Sequence, residues 1–272
     1  MEVYQQMSYE LAGLLTRRYS TSFSMSSWLF AARIRPHIYA IYGMVRLADE
    51  IVDTYRGEDA MAQLDDFEAV VYQACKQGYS TNPIVHAFAL TTQKYGIEPE
   101  LIAPFFASMR MEMAATAYDE ATYRRYIYGS AEVVGLMCLK VFVEGDAAQY
   151  EQLRDGASHL GAAYQKVNFL RDLRADYELL GRVYFPGVDY PSFSEASKRA
   201  IEADIAADFA VAKASVHKLP LTARRAVRTS MLYYEALFRR LQNASVADLK
   251  ARRLRVPNSV KLLLFARGAV EL

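Results

Sequence analysis

Asn168, Asp172 and Asp176 recur every four residues inside the stretch AAYQKVNFLRDLRADYELLGRVYFP, residues 162–186. On an α-helix this repeat stacks three oxygen-bearing side chains in one row, neighbours about 5–6 Å apart. The row therefore asks for a helix here, and for something opposite that accepts concentrated oxygen ligands. A hard cation does. Mg²⁺ takes one or two ligands from protein and leaves its other positions to water and phosphate oxygens, so a short row is enough to begin a site. Arg171, beside Asp172, adds a planar fork suited to phosphate. A solvated helix face would carry the same spacing, and a second carboxylate pair elsewhere separates the two readings.

Such a pair lies in HIYAIYGMVRLADEIVDTY, residues 37–55, where Pro36 suits the first helical position. Tyr42, Arg46, Asp49 and Asp53 follow at spacings of four, three and four, one stripe carrying a phenol, a guanidinium and two carboxylates. Ile38, Ile41, Val45, Ala48 and Val52 form the adjoining apolar stripe that a core-facing helix buries. A polar stripe beside the buried one suits a cavity wall, although Arg46 and Asp49 alone would make an ordinary surface ion pair. Glu50 points elsewhere. Asp65 and Asp66, adjacent in sequence, cannot both face one metal from a helix and read as solvated.

The remaining segments also read as helices. Residues 3–18 carry Leu11, Leu14 and Leu15 at helical spacing and end in Arg17 and Arg18, which suit a helix C-terminus. The hydroxyls of YSTSFSMSSWLF favour caps, which makes Ser20 and Ser22 candidates for a cap or for ligand contact. Residues 58–77, NPIVHAFALTTQKYG, IEPELIAPFFASMRMEMA and ATYRRYIYGSAEVVGLMCLKVFVEG each predict one further helix, punctuated by Pro83, Pro99 and Gly145. Gly129, Ala131, Val134, Gly135 and Cys138 beside Tyr126 imply close helix packing or room for a ligand, packing being favoured. One helix is expected over 149–179, one over 194–218 and one from Pro220. A basic tail follows, with Arg252, Arg253, Arg255 and Lys261. No sustained alternation of β-branched residues predicts a sheet, so the fold class is all-α.

An apolar fraction of 53% over 272 residues supports a large core and one domain over residues 1–272. A net charge of +1 gives no overall electrostatic case for nucleic acid. His37, His86, His159 and His217 show no metal-ligand spacing, which argues against zinc. Cys75 and Cys138, in apolar surroundings, read as free buried thiols of a reducing cytoplasm. The first residues lack the order of a signal peptide. The longest apolar run, 133–143, is far short of the roughly 20 residues that a span requires. A cytoplasmic location is expected, with peripheral contact at the inner face of the membrane as a further expectation. Phosphate-loop, dinucleotide and nucleophile-elbow motifs are missing.

If the two acidic rows face each other across a cavity, they can hold Mg²⁺ between them with a diphosphate bridging the metals. Diphosphate leaves readily only when its developing charge is neutralised, which metal ions and arginines can do. An allylic diphosphate then becomes a carbocation, which needs a dry apolar pocket with aromatic faces. Twenty tyrosines and thirteen phenylalanines can furnish one.

Five motifs in fixed order carry a resemblance: Y-S-T-S-F, I-Y-x-x-x-R-x-x-D-E-I-V-D, Y-G-S-A-E-V-V-G, Q-x-x-N-F-L-R-D-x-x-x-D and G-R-V-Y-F-P. Together they resemble the squalene/phytoene synthase family, bacterial phytoene synthases most of all, over nearly the whole chain. The resemblance implies a single-domain isoprenoid synthase fold, helices around a deep central cavity. It implies head-to-head condensation of two geranylgeranyl diphosphates to phytoene through prephytoene diphosphate, in carotenoid biosynthesis, with prenyl diphosphates as the binding partners. Mg²⁺ is the implied metal, with Mn²⁺ as a substitute, and no NADPH is expected for the phytoene reading. Asp49 and Asp53 match the family's first acidic motif, and Asn168, Asp172 and Asp176 its second. Arg46, Arg171 and Tyr184 match diphosphate contacts, while Ser20, Tyr42, Tyr126 and Gln165 match substrate-pocket positions. Arg255 resembles a C-terminal diphosphate contact, with Tyr233 a nearby phenol. The first motif reads D-E-x-x-D where many relatives have D-D-x-x-D, and Glu132 stands where they often carry Gly. Two farnesyl diphosphates would give dehydrosqualene or squalene by the same chemistry. A non-catalytic assembly protein on this fold is the reading from another class, and both intact acidic rows argue against it.

Overall fold

Helix follows helix along residues 2–55, 57–114 and 117–270, which this computed structural model describes. In chain order they are α1 (Glu2–Tyr19), α2 (Thr21–Ser27), α3 (Arg35–Asp49), α4 (Ala60–Gln77), α5 (Pro83–Tyr95), α6 (Pro99–Ala114), α7 (Glu120–Ile127), α8 (Val133–Phe142), α9 (Ala147–Leu180), α10 (Glu195–Val216), α11 (Leu221–Gln242), α12 (Val246–Ala251) and α13 (Asn258–Val270). Among the described residues, β-pairing is confined to one isolated bridge between Ala117 and Val183. Two π-helical segments were not foreseen. Glu50–Tyr55 prolongs α3, and Tyr128–Glu132 joins α7 to α8, so the single helix expected there is three segments. The basic tail likewise folds, as α12 and α13.

Local chemistry fixes several boundaries. Asp146 caps α9 by accepting from the Gln149 amide at 2.9 Å, and Gly181 ends it in the left-handed region at φ 65°. Asn82 caps α5, with Pro83 as its first residue. Between these stops α9 runs unbroken for 34 residues, long enough to carry the whole second acidic row and a turn or more on either side.

Packing departs from the leucine pattern in α1. Its buried face is Ser8, Ala12, Gly13 and Thr16, whereas Leu14 is 43% exposed. Small side chains let α1 lie close on α3 and α5, and a Cβ at Gly13 would sit 3.1 Å from the Tyr39 ring. Glycines do the same between α8 and α9. A Cβ at Gly135 would come 2.7 Å from the Ala157 carbonyl oxygen, and one at Gly161 2.6 Å from that of Ala131. Gly135 and Gly161 therefore serve close packing, and both also line the cavity described below, as do Ala131, Val134 and Cys138. The main core gathers Phe88, Phe105, Phe106, Met44, Met137, Leu170 and their neighbours, and burying each large side chain contributes about 1.5–3 kcal/mol. Asp65 and Asp66 are exposed, as expected, and Asp65 also pairs with Arg110 at 2.6 Å between α4 and α6. Cys75 and Cys138 are free, as expected, and burial pushes the Cys138 thiol up to about 12. No helix among the described residues is long and apolar enough to cross a membrane.

Candidate active site in a helix-lined cavity

A cavity of about 940 Å³ opens between α2, α3, α6, α8, α9 and α11, its rim closed on one side by the chain around Arg253 and Arg255. Asp49 and Asp53 reach it from α3 and its π-helical extension, and Asn168, Asp172 and Asp176 from α9. The apolar stripe of α3 is buried beside the first pair, with Ile38 and Ile41 each 1% exposed. The polar stripe is thus a cavity wall. Tyr42, Arg46, Arg171, Ser20, Ser22, Tyr126, Gln165, Tyr184, Tyr233 and Arg255 line the same space, so the structure brings every sequence-derived candidate to one place.

Charge is concentrated at the polar end. The Asp49 carboxyl, 32% exposed toward the cavity, is pushed up to about 7, chiefly by burial and then by Glu112. Asp176 is likewise pushed up to about 7 by burial and then by Asp172, with Glu112 and Asp53 adding to it. Four arginines offset this. Arg46 binds Glu50 at 2.5 Å, approaches Asp49 at 3.9 Å and stacks 4.3 Å from the centre of the Tyr19 ring. Glu50 therefore points away from the row but holds the row's arginine. Arg171 donates from Nε to Asp172 at 3.0 Å, and Arg253 grips the same carboxylate through Nε at 2.6 Å and a terminal nitrogen at 3.0 Å. Arg182 lies 3.1 Å from Glu112 and 4.0 Å from Asp53.

The donor set suits Mg²⁺. Four carboxylates and an amide oxygen face one cavity, and two of those carboxylates are driven toward protonation by burial and by their acidic neighbours. Among the described residues no three His, Cys, Asp or Glu side chains already close on a single point. Mg²⁺ does not require that, because water and phosphate oxygens complete its shell.

Glu112 escaped the sequence reading. Buried on α6, it accepts hydrogen bonds from Tyr126 and Tyr184, both at 2.7 Å, and from Arg182. Burial raises its carboxyl, and Asp53 raises it further. Both its oxygens are occupied by donors, so it anchors two phenols. The Tyr184 hydroxyl is thereby committed to Glu112 rather than to the cavity. Phe169 lies flat on Tyr184 at 4.0 Å, and Tyr126 stacks on both rings. Arg182 and Arg253 also went unassigned, although each sits inside a quoted stretch, G-R-V-Y-F-P and the basic tail. Ser20 is both cap and lining: its hydroxyl accepts from the Phe23 amide at 3.3 Å. Ser26 lines the cavity, while Ser27 is turned to the Tyr39 hydroxyl at 2.9 Å.

The family model for squalene/phytoene synthase matches residues 16–259. A 4,4'-diapophytoene synthase from Staphylococcus haemolyticus is 26% identical over 74% of this chain and 70% of its own length. Phytoene synthase from Arthrospira platensis is 29% identical over 69% of this chain, a match that spans 63% of that relative. A 15-cis-phytoene synthase from Enterobacter agglomerans is 26% identical over 92% of this chain and 91% of its own length. Among solved structures, a dehydrosqualene synthase superposes with a TM-score of 0.83 at 19% identity, covering 97% of this chain and 96% of that one. A squalene synthase from Alicyclobacillus acidocaldarius gives 0.76 at 24% identity over 89% and 97%. At these identities the two structures speak for the fold.

Proposed function

The chain belongs to the squalene/phytoene synthase family, a family of prenyltransferases, and from that premise we propose that it joins two geranylgeranyl diphosphates head to head into phytoene. One observation carries the reading: two acidic rows and Arg46, Arg171, Arg253 and Arg255 line one cavity together with many apolar and aromatic side chains. Asp49, Asp53, Asn168, Asp172 and Asp176 would hold Mg²⁺, and the bound metal would supply positive charge to the departing diphosphate. Arg46, Arg171 and Arg253 stand where that diphosphate would lie, each able to move from its carboxylate partner to a phosphate oxygen. Apolar walls from Leu139, Phe142, Leu160 and Val227 exclude water from the chain that remains. Loss of the first diphosphate, 1′-1 bonding and closure of the ring with release of a proton give the cyclopropylcarbinyl diphosphate. Loss of the second, rearrangement and release of a proton give the hydrocarbon.

A volume near the top of the roughly 300–1,000 Å³ range of ligand pockets supports two long substrates. The Staphylococcus haemolyticus relative keeps a second reading open, two farnesyl diphosphates giving dehydrosqualene. Incubation with each labelled diphosphate, with and without NADPH, decides between them. Phytoene from the longer substrate without NADPH is expected, and a product made from farnesyl diphosphate alone would sink the assignment. The exposed Leu262 and Leu263 of α13, next to Lys261, support peripheral membrane contact. Liposome flotation checks it: the chain should rise with anionic vesicles, and a chain left in the dense fraction speaks against contact.

A further inference from the structure

We propose that Glu50 is a positioning residue, which draws Arg46 off Asp49 and so leaves that carboxylate open to Mg²⁺. The inference rests on the reading of Asp49 as a metal ligand, but it concerns a residue outside both acidic rows. Glu50 opens the π-helical segment that prolongs α3, and it is the residue by which the first motif departs from D-D-x-x-D. Arg46, Asp49 and Asp53 line the cavity, whereas Glu50 is not among the described residues that do. Arg46 has carboxylates three and four residues further on, and a helical turn places both within its reach. It binds the outer one. A terminal nitrogen lies 2.5 Å from Glu50, while the other is 3.9 Å from Asp49, beyond hydrogen-bond distance.

The guanidinium is held from a second side by the Tyr19 ring, 4.3 Å away, and its Nε is buried without a partner. Glu50 therefore supplies the hydrogen bond that fixes its position. The second row shows the alternative. There Arg171 and Arg253 both donate to Asp172 itself, at 3.0 and 2.6 Å, so a metal that takes this carboxylate must displace them. Without Glu50, Asp49 is the acidic partner left to Arg46, and a shift of about 1 Å brings the pair to the roughly 2.7–2.9 Å of a charge-assisted hydrogen bond. The first row would then be masked as the second is. Mg²⁺ needs carboxylate oxygens that are free to coordinate, so the tether keeps Asp49 ready while Arg46 stays one move from a phosphate oxygen.

The test is a double-mutant cycle on the full chain, read by calorimetry of Mg²⁺ alone and without turnover. Glu50→Ala should weaken Mg²⁺ about tenfold in the parent, and less than about threefold where Arg46→Met has already removed the guanidinium. The smaller loss is what the charge of Glu50 contributes by itself. Inorganic diphosphate with saturating Mg²⁺ should bind Glu50→Ala at least as tightly as the parent, because the metal then occupies Asp49 and Arg46 has no Glu50 to leave. Equal losses of Mg²⁺ affinity in the two backgrounds would reduce Glu50 to a bystander charge, and an unchanged affinity would give it no part; either overturns the proposal. Weakening of both ligands together would also overturn it, since that marks general damage to the site. Should a variant fail to fold by circular dichroism, Glu50→Gln and Arg46→Gln carry the same comparison. A parent that takes up no Mg²⁺ refutes the metal reading itself, a result distinct from the others.

Discussion

Asp49 and Asp176 hold protons that ordinary carboxylates lose. Each is raised from 3.8 to about 7, so between about pH 4 and pH 7 the folded chain binds protons that the unfolded chain has released. Stability from this source is fully present below the lower value and is lost as pH rises through the upper one. Mg²⁺ works in the opposite sense, because it requires the deprotonated carboxylates. Metal-free protein should therefore melt at a lower temperature as pH is raised from 5.5 to 8, and added Mg²⁺ should recover most of the loss at the upper end. Asp49→Asn should flatten the metal-free slope, and parallel slopes in parent and variant would remove Asp49 as its source. Glu112, the second cause of the Asp49 shift, shows what single residues conceal. It lies 14 residues from Tyr126 and 72 from Tyr184, so no local spacing announces it. Asp49, Asp53, Asp172 and Asp176 were legible because a helix turns an interval of four into proximity. Glu112 and Arg253 were not, because only the fold brings them near.

The π-helical segments are features of elements rather than residues. Apolar periodicity places the helices of this chain well, since Pro, Gly and Asn punctuate them, and the expected and observed limits of α9 differ by two residues or fewer. A π turn leaves no such mark. Both segments carry site chemistry, Asp53 in one and Ser130 and Ala131 in the other, in keeping with the frequent use of π turns at functional sites. In the second, Gly129 lies so close to α6 that a Cβ would run into the carbonyl oxygen of Pro104. Backbone cannot step aside cheaply. Gly129→Ala should cost about 2 kcal/mol in urea unfolding, within the usual range for overpacking, and should disturb the neighbouring Tyr126. A cost below about 0.5 kcal/mol would mean that α6 and the π segment slide apart freely. The α12–α13 tail was illegible for another reason: its basic residues read as a charge cluster, while the small apolar face that docks α13 on α11 depends on Gly268 meeting Thr229.

At the scale of the whole molecule, the tail returns to α9, where Arg174 donates to the Ala251 carbonyl, and reaches the cavity through the paired hydrogen bonds from Arg253 to Asp172. If Asp172 holds Mg²⁺ as proposed, a guanidinium on its carboxylate competes with the metal for it. The same guanidinium, once released, is a charged donor for diphosphate, worth about 1.5–3 kcal/mol, or roughly tenfold to a hundredfold in affinity. Removing it should therefore act in opposite directions on the two ligands. Arg253→Ala is expected to bind Mg²⁺ alone several-fold more tightly than the parent, because Asp172 loses one of its two cationic partners and keeps Arg171. It should bind inorganic diphosphate with saturating Mg²⁺ at least tenfold more weakly. Calorimetry of the two titrations reads both effects without turnover. Weakening of both ligands together would mean that Arg253 merely holds the rim in place. Tightening of Mg²⁺ with diphosphate unchanged would mean that it stays on Asp172 throughout, and that the tail seals the cavity without touching the leaving group.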